Sequence, residues 1–250
     1  PATIPLSVLE EVREELLCYP GAGASVMEIS HRSKIFTEIA ADAETTLRTL
    51  LEIPEDYSVL FLQGGSALQF SMVPANLLRG TGKTAQYLVT GSWSKKAIVE
   101  AKKEGEVLAA FDGGESNFCG LPASDSISVP DESAYLYYCS NETIQGVQFE
   151  VEPVCPSSVP LVCDASSDFL SRRLDISKYG LLYACAQKNA GPAGVTVVIM
   201  RKDLLQRGED SLPGYLNYRN HDQADSMWNT PPTFAVYMLG KIAHWLQDEV

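Results

Sequence analysis

Seven short apolar runs recur along the chain, and most of them lack the apolar–polar alternation of a strand with one exposed face. They span residues 57–63, 86–90, 107–111, 134–139, 160–163, 181–186 and 195–200. Patterns with helical spacing lie between or beside them, at residues 6–17, 33–51, 67–78, 94–103 and 233–247. Continuous apolar strands are typical of a mostly parallel sheet that is covered on both faces. The sequence therefore predicts an α/β layered fold.

The length of 250 residues fits one large domain or two small ones. The chain starts at Pro1 and ends at Val250, directly after a helical pattern, which predicts part of a longer protein. Two stretches, 112–131 and 207–225, are predicted to be irregular, and long irregular segments in a compact domain often carry function.

The formal net charge of −13 argues against nucleic acid or an anionic membrane as a partner. No apolar run approaches the roughly 20 residues that span a bilayer, and the N-terminus lacks the pattern of a signal peptide. The six cysteines are scattered and form no Cys-x-x-Cys pair. They indicate free thiols in a reducing compartment, so we expect a cytoplasmic protein, or an organellar one if a transit segment was removed.

Polar or small residues follow five of the predicted strands where each strand ends. These segments are 63–66, 91–95, 140–143, position 164 and 187–189. Ligands of open α/β sheets bind beyond the carboxyl ends of the strands. The sequence therefore predicts a ligand site at this edge of the sheet.

Asp164 and Lys188 are the two charged candidates at this edge. Asp164 is either an ordinary turn residue or a carboxylate that faces a cationic group. Lys188 is either a surface lysine or a lysine that binds a carbonyl cofactor covalently, which requires a lowered pKa. Both residues lie at the ends of predicted strands that open to one edge, and this pairing strengthens the second interpretation of Lys188, while both interpretations stay open.

Other candidates at the strand ends are weaker when taken singly. The turn at Gly64 and Gly65 precedes a predicted helix, whose N-terminus would suit a phosphate, although most such turns bind nothing. Trp93 is either a core residue or a surface for stacking on a flat ring. His31 and Arg32 are either a surface pair or a site for a carboxylate or phosphate.

Two further patterns carry no site. Residues 80–84 resemble the end of a P-loop, but the glycine required earlier is Leu77 and the segment precedes a strand. The histidines His31, His221 and His244 have no metal-ligand spacing, so no metal site is predicted.

Six segments, taken in order, resemble the phosphoserine aminotransferase family. They are 25–33, 61–65, 90–94, 139–144, 186–194 and 229–233. The resemblance implies a fold-type I large domain that binds pyridoxal phosphate (PLP), with a mostly parallel seven-stranded sheet flanked by helices. It makes residues 1–250 this large domain, with 1–5 a remnant of an N-terminal segment and the C-terminal small domain absent. The family pattern usually has glycines where this chain has Ser66 and Leu68.

The resemblance also implies roles for individual residues. Lys188 would bind PLP covalently and act as general acid and base, and Asp164 would keep the pyridine nitrogen protonated. The remaining cofactor-binding positions are Ser66, Ala67, Trp93, Thr143, Gln187, Asn229 and Thr230. Of these, Asn229 and Thr230 would reach the phosphate of the neighbouring subunit's cofactor in a homodimer, and His31 and Arg32 would bind substrate.

The implied reaction exchanges an amino group between glutamate and 3-phosphohydroxypyruvate, giving O-phosphoserine and 2-oxoglutarate in serine biosynthesis. Two alternatives stay open. The chain is another fold-type I PLP enzyme, or it is a truncated module that binds PLP and dimerises without turnover.

Overall fold

A seven-stranded sheet forms the centre of the computed structural model, which describes residues 2–123 and 126–249. The strands of this sheet are β1 (Tyr57–Leu62), β2 (Thr84–Val89), β3 (Glu106–Asp112), β4 (Leu136–Cys139), β7 (Leu161–Asp164), β8 (Leu181–Cys185) and β9 (Thr196–Arg201). A separate hairpin consists of β5 (Asn141–Glu142) and β6 (Val147–Gln148). The helices are α1 (Leu6–Leu17), α2 (Lys34–Leu50), α3 (Gly65–Leu77), α4 (Ser92–Ala101), α5 (Tyr218–Gln223) and α6 (Thr233–Glu249).

The order across the sheet is β1-β9-β8-β7-β4-β2-β3. Strand β9 runs antiparallel to both of its neighbours, and the other pairs in the sheet are parallel. The mostly parallel seven-stranded sheet is thereby confirmed. Because β1, β2, β4, β7 and β8 point the same way, their carboxyl ends meet at one edge.

Helices cover both faces of the sheet, which explains why the central strands are apolar throughout. One core contains residues of α1, α2 and α6, and the other contains residues of α3 and α4. Strand β8 shows the division, since Leu182 and Ala184 point into the first core while Leu181 and Tyr183 point into the second. Burial of one such side chain contributes roughly 1.5–3 kcal/mol. The edge strand β3 is the exception, with most of its residues exposed or half-buried.

Two elements depart from the sequence prediction. The stretch 207–225, predicted as irregular, contains helix α5, whose short polar sequence has no extended apolar periodicity. The helix α3 begins at Gly65, two residues before the predicted start at 67, because a glycine turn leads directly into it. Positions 124 and 125 of the predicted loop 112–131, and the end residues Pro1 and Val250 of the predicted domain, lie outside the described residues. Within the described ranges, no helix combines the length and apolar character needed to cross a membrane.

Candidate active site

A pocket of about 250 Å³ lies at the carboxyl edge of the sheet. Its lining residues are Gly64, Gly65, Ser66, Ala67, Trp93, Cys139, Asn141, Thr143, Asp164, Ser166, Ser167, Gln187 and Lys188. These residues follow β1, β2, β4, β7 and β8, or lie at their last positions. The parallel arrangement of these strands thus gathers segments that are far apart in the sequence.

The N-terminus of α3 forms one end of the pocket. Gly64 has φ +87° and Gly65 has φ +65°, a left-handed conformation that glycine adopts without strain. The first helical bond runs from Leu68 N to Gly64 O at 3.4 Å, so the N–H groups of residues 65–67 have no partner in the helix. Free N–H groups and the positive end of the helix dipole make this turn suitable for a phosphate.

We expect Gly64→Ala to lower the free energy of unfolding by about 1–3 kcal/mol. A Cβ at Gly64 would lie 2.5 Å from Leu68 Cδ2 and 2.7 Å from Leu68 Cβ, in addition to the strain of positive φ. Gly82→Ala is the matched control, because Gly82 has φ +66° and open space where the methyl group of alanine would lie. Urea denaturation of both variants measures the effect, and an equal loss in the two would show that only the backbone strain matters.

Ser66 is tied to the sheet through its side chain. Its Oγ lies 2.8 Å from Ser166 Oγ and 3.0 Å from Cys185 Sγ, and the Ser166 hydroxyl accepts a hydrogen bond from the N–H of Cys185 at 3.1 Å. The hydroxyl at position 66 therefore fixes the first turn of α3 against β8. Ser166 was not predicted as a site residue, although its position two residues after Asp164 offered a signal.

Asp164 is buried on the floor of the pocket, with 2% of its surface exposed. One carboxyl oxygen accepts the N–H of Ser166 at 2.9 Å, and the side chain forms no ion pair with the described part of the chain. Burial raises the pKa of Asp164, and the hydrogen bonds from Ser166 oppose that increase. A buried carboxyl group of this kind suits a cationic partner, which would stabilise its ionised form.

Lys188 reaches across the mouth of the pocket towards Thr143 and Trp93. It lies in a short 3₁₀ turn directly after β8, and its Nζ donates to Thr143 Oγ1 at 2.7 Å. The same nitrogen lies 5.8 Å from the centroid of the Trp93 ring. A primary amine is therefore held between an aromatic face and a hydroxyl, in a pocket that the buried carboxyl group of Asp164 also lines.

The structure brings seven of the predicted site residues together in this pocket. They are Ser66, Ala67, Trp93, Thr143, Asp164, Gln187 and Lys188. Four predicted residues do not line it, namely His31, Arg32, Asn229 and Thr230.

Asn229 and Thr230 contact the pocket indirectly through Gln63. Asn229 Nδ2 donates to Gln63 Oε1 at 3.1 Å, and Gln63 Nε2 donates to the carbonyl oxygen of Thr230 at 3.4 Å. Gln63 directly precedes Gly64, where the turn at the N-terminus of α3 begins. Among the described residues, nothing accepts or donates a hydrogen bond at the buried Nε2 of His31, and Arg32 is exposed. The roles assigned to these four residues stay predictions.

The donor set of the pocket fits a flat, cationic ring that bears a phosphate and a carbonyl group. The helix N-terminus suits the phosphate, Trp93 suits the ring face, Asp164 suits a protonated ring nitrogen, and Lys188 suits the carbonyl carbon. The small residues of the turn leave room for a close approach to the backbone.

Comparison with known proteins shows the family to which the chain belongs. A family profile described as "Aminotransferase class-V" matches residues 1–249. The phosphoserine aminotransferase of Rhodopirellula baltica is 66% identical over all of this chain and 66% of its own length. That of Laribacter hongkongensis is 53% identical over 99% of this chain and 68% of its own length. The chain thus spans about two thirds of the length of these relatives.

Solved structures show the same fold. The phosphoserine aminotransferase from Bacillus circulans subsp. alkalophilus matches with a TM-score of 0.95 at 45% identity, over 99% of this chain and 68% of that one. The PLP-bound phosphoserine aminotransferase from Trichomonas vaginalis matches with a TM-score of 0.92 at 42% identity, over 100% of this chain and 69% of that one. These similarities confirm the predicted fold.

Proposed function

Because the chain belongs to the class-V aminotransferase family, we propose that it catalyses PLP-dependent transfer of an amino group between glutamate and 3-phosphohydroxypyruvate. The products are O-phosphoserine and 2-oxoglutarate, which places the reaction in serine biosynthesis. The observation that carries this proposal is the meeting of Lys188, Asp164 and the N-terminus of α3 in one pocket. Relatives that are named phosphoserine aminotransferases support the choice of substrates.

Different residues of the pocket would bind different groups of PLP. The N–H groups of Ser66 and Ala67, together with the side chain of Gln187, would hold the phosphate. Trp93 would stack on the ring, and Thr143 would bond the ring hydroxyl. Asp164 would pair with the ring nitrogen, and Lys188 would bind the cofactor covalently.

Bound PLP supplies a sink for the electron pair that remains when the Cα proton of the amino-acid substrate is removed. Lys188 Nζ would take that proton, hold it within the pocket and give one back as general acid. Thr143 and Trp93 keep Nζ close to its place in the pocket while it is free. Asp164 would keep the ring nitrogen of bound PLP protonated, since a cation beside a buried carboxyl group favours the ionised form of that carboxyl group and stabilises the charged pair.

The substrate carries more negative charge than these lining residues neutralise. Lys188 is the one cationic side chain among the described residues that line the pocket. A phosphate and a carboxylate therefore require cations from elsewhere. We assign His31 and Arg32 to this task, and we propose a homodimer in which Asn229 and Thr230 reach the neighbouring cofactor. The six free cysteines support a reducing compartment such as the cytoplasm.

The spectrum of the PLP-loaded chain tests the proposal. We expect the absorbance band of lysine-bound PLP to appear, and phosphoserine or glutamate to convert it to the band of pyridoxamine phosphate. Serine and aspartate are the controls for substrate choice, and we expect slower conversion with either. Conversion without preference for phosphoserine would favour another PLP enzyme of this fold. A stable PLP band that phosphoserine leaves unchanged would favour the binding module without turnover.

A further inference from the structure

Glu142 is a completely buried acidic residue that the proposed chemistry does not use. It lies in β5, directly before Thr143, and forms no ion pair with any residue in the ranges 2–123 and 126–249. Its Oε2 accepts the N–H of Trp93 at 2.9 Å. Its Oε1 accepts the N–H of Ser94 at 2.8 Å and the hydroxyl of Ser94 at 2.5 Å. These bonds join two segments that are 49 residues apart in the sequence.

Gln145 completes the contact between the hairpin and helix α4. Its Oε1 accepts the N–H of Ser92 at 3.1 Å, and its Nε2 donates to Ser92 Oγ at 2.8 Å. The N–H groups of residues 92–94, which have no partner within the helix, are thus all satisfied by the hairpin. Gly91 permits the approach, because a Cβ there would lie 2.5 Å from Glu142 Cδ and 2.7 Å from Gln145 Oε1.

The two sides of this contact carry two of the proposed cofactor-binding residues. On the helix side, Glu142 holds the backbone of Trp93, whose ring lies 5.8 Å from Lys188 Nζ. On the hairpin side, the next residue is Thr143, which accepts a hydrogen bond from Lys188 Nζ at 2.7 Å. A shift of the hairpin relative to the helix would therefore move the aromatic face and the hydroxyl apart.

We propose that Glu142 is a positioning residue that fixes Trp93 and Thr143 relative to each other and to Lys188. This inference rests on the proposed function, since it assigns those residues to PLP. A simple helix cap would stabilise α4 without affecting the seating of the cofactor. The two roles predict different results for the bound cofactor.

The test compares Glu142→Ala and Glu142→Gln with the matched control Glu104→Gln. Glu104 lies just after the end of α4 and its carboxyl group is mostly buried. Its Oε2 lies 2.5 Å from Arg79 Nε, and the residue does not line the pocket. We expect the Kd for PLP to rise about tenfold in Glu142→Ala, and less in Glu142→Gln, which keeps one acceptor oxygen. We also expect the circular dichroism of the cofactor band, per bound PLP, to fall in both variants of Glu142. Glu104→Gln should lower Tm without changing either quantity.

A lower Tm with unchanged Kd and unchanged circular dichroism in both variants of Glu142 would overturn the inference and leave a helix cap. Amide hydrogen exchange of the cofactor-free protein is a second measurement. We expect exchange at Trp93 and Ser94 to accelerate in Glu142→Gln and not in Glu104→Gln, and equal exchange would overturn the inference. Hydrogen exchange of the cofactor-free protein tests the contact of Glu142 without any bound PLP. Failure of the wild type to bind PLP would contradict the proposed function, and it would be observed separately from the exchange result.

Discussion

Replacement of Lys188 by alanine is expected to abolish covalent PLP binding and to lower the rate of transamination by at least about 10³-fold. The variant loses the amine that binds the carbonyl carbon of PLP and also the group that moves the proton. The fold should persist, because Lys188 is half-exposed and, within residues 2–123 and 126–249, its side chain makes one hydrogen bond, to Thr143. PLP should then bind without covalent attachment, through the helix N-terminus, Trp93 and Asp164.

Absorbance and reduction with borohydride measure the two losses separately. We expect borohydride to fix PLP onto the wild type and not onto Lys188→Ala, as seen in the mass of the intact chain. Lys95→Ala is the control, because Lys95 is exposed on α4, the helix that carries Trp93, and lies outside the pocket lining. Retention of fixed PLP at full stoichiometry in Lys188→Ala would place the attachment at another lysine and refute the assignment.

Those site residues that lie where a strand ends were predictable from the sequence. A continuous apolar run marks a strand buried on both faces, and in a parallel sheet the residues that follow such runs meet at one edge. This reasoning found Asp164 at the end of β7 and Lys188 after β8. The reasoning does not depend on the details of packing. It therefore identified these residues although the predicted ends of the strands differ by one or two residues from the observed ends.

Contacts between distant segments could not be predicted in the same way. Glu142 caps a helix that precedes it by dozens of residues, and a buried glutamate that accepts backbone N–H groups leaves no periodic pattern. The antiparallel direction of β9 could not be predicted either, because the apolar pattern of a buried strand does not indicate its direction in the sheet. Helix α5 is short and polar, and its position is fixed by tertiary bonds such as that from Ser58 Oγ to Asp222 Oδ1 at 2.5 Å.

Asp164→Asn is expected to lower the rate of transamination by about 10²–10³-fold, the usual effect of removing one electrostatic group that stabilises a transition state. Asparagine has nearly the same shape and keeps an oxygen for the N–H of Ser166. It cannot offer a negative charge to the ring nitrogen, which would lose its proton. Single-turnover conversion of the PLP-loaded variant by phosphoserine measures the rate of this step.

The same substitution is expected to have the opposite effect on the stability of the cofactor-free protein. Burial raises the pKa of Asp164 above 3.8, so the folded protein binds the proton more tightly than the unfolded chain. The contribution of Asp164 to the free energy of unfolding therefore declines as the pH rises from the unfolded pKa through the folded pKa. Asparagine does not titrate, so Asp164→Asn should be at least as stable as the wild type at neutral pH, and the difference should narrow in acid.

Urea denaturation of the cofactor-free proteins at neutral and acidic pH checks this sign. Asp168→Asn is the matched control, since Asp168 is also buried but accepts hydrogen bonds from Ser140 Oγ and Gln148 Nε2, so its replacement should destabilise. Destabilisation of Asp164→Asn to the same degree would mean that Asp164 is a structural residue with satisfied bonds. A gain in stability together with a loss of rate identifies a carboxyl group that the fold keeps buried for a cationic ligand, because no cationic side chain in the described chain pairs with it.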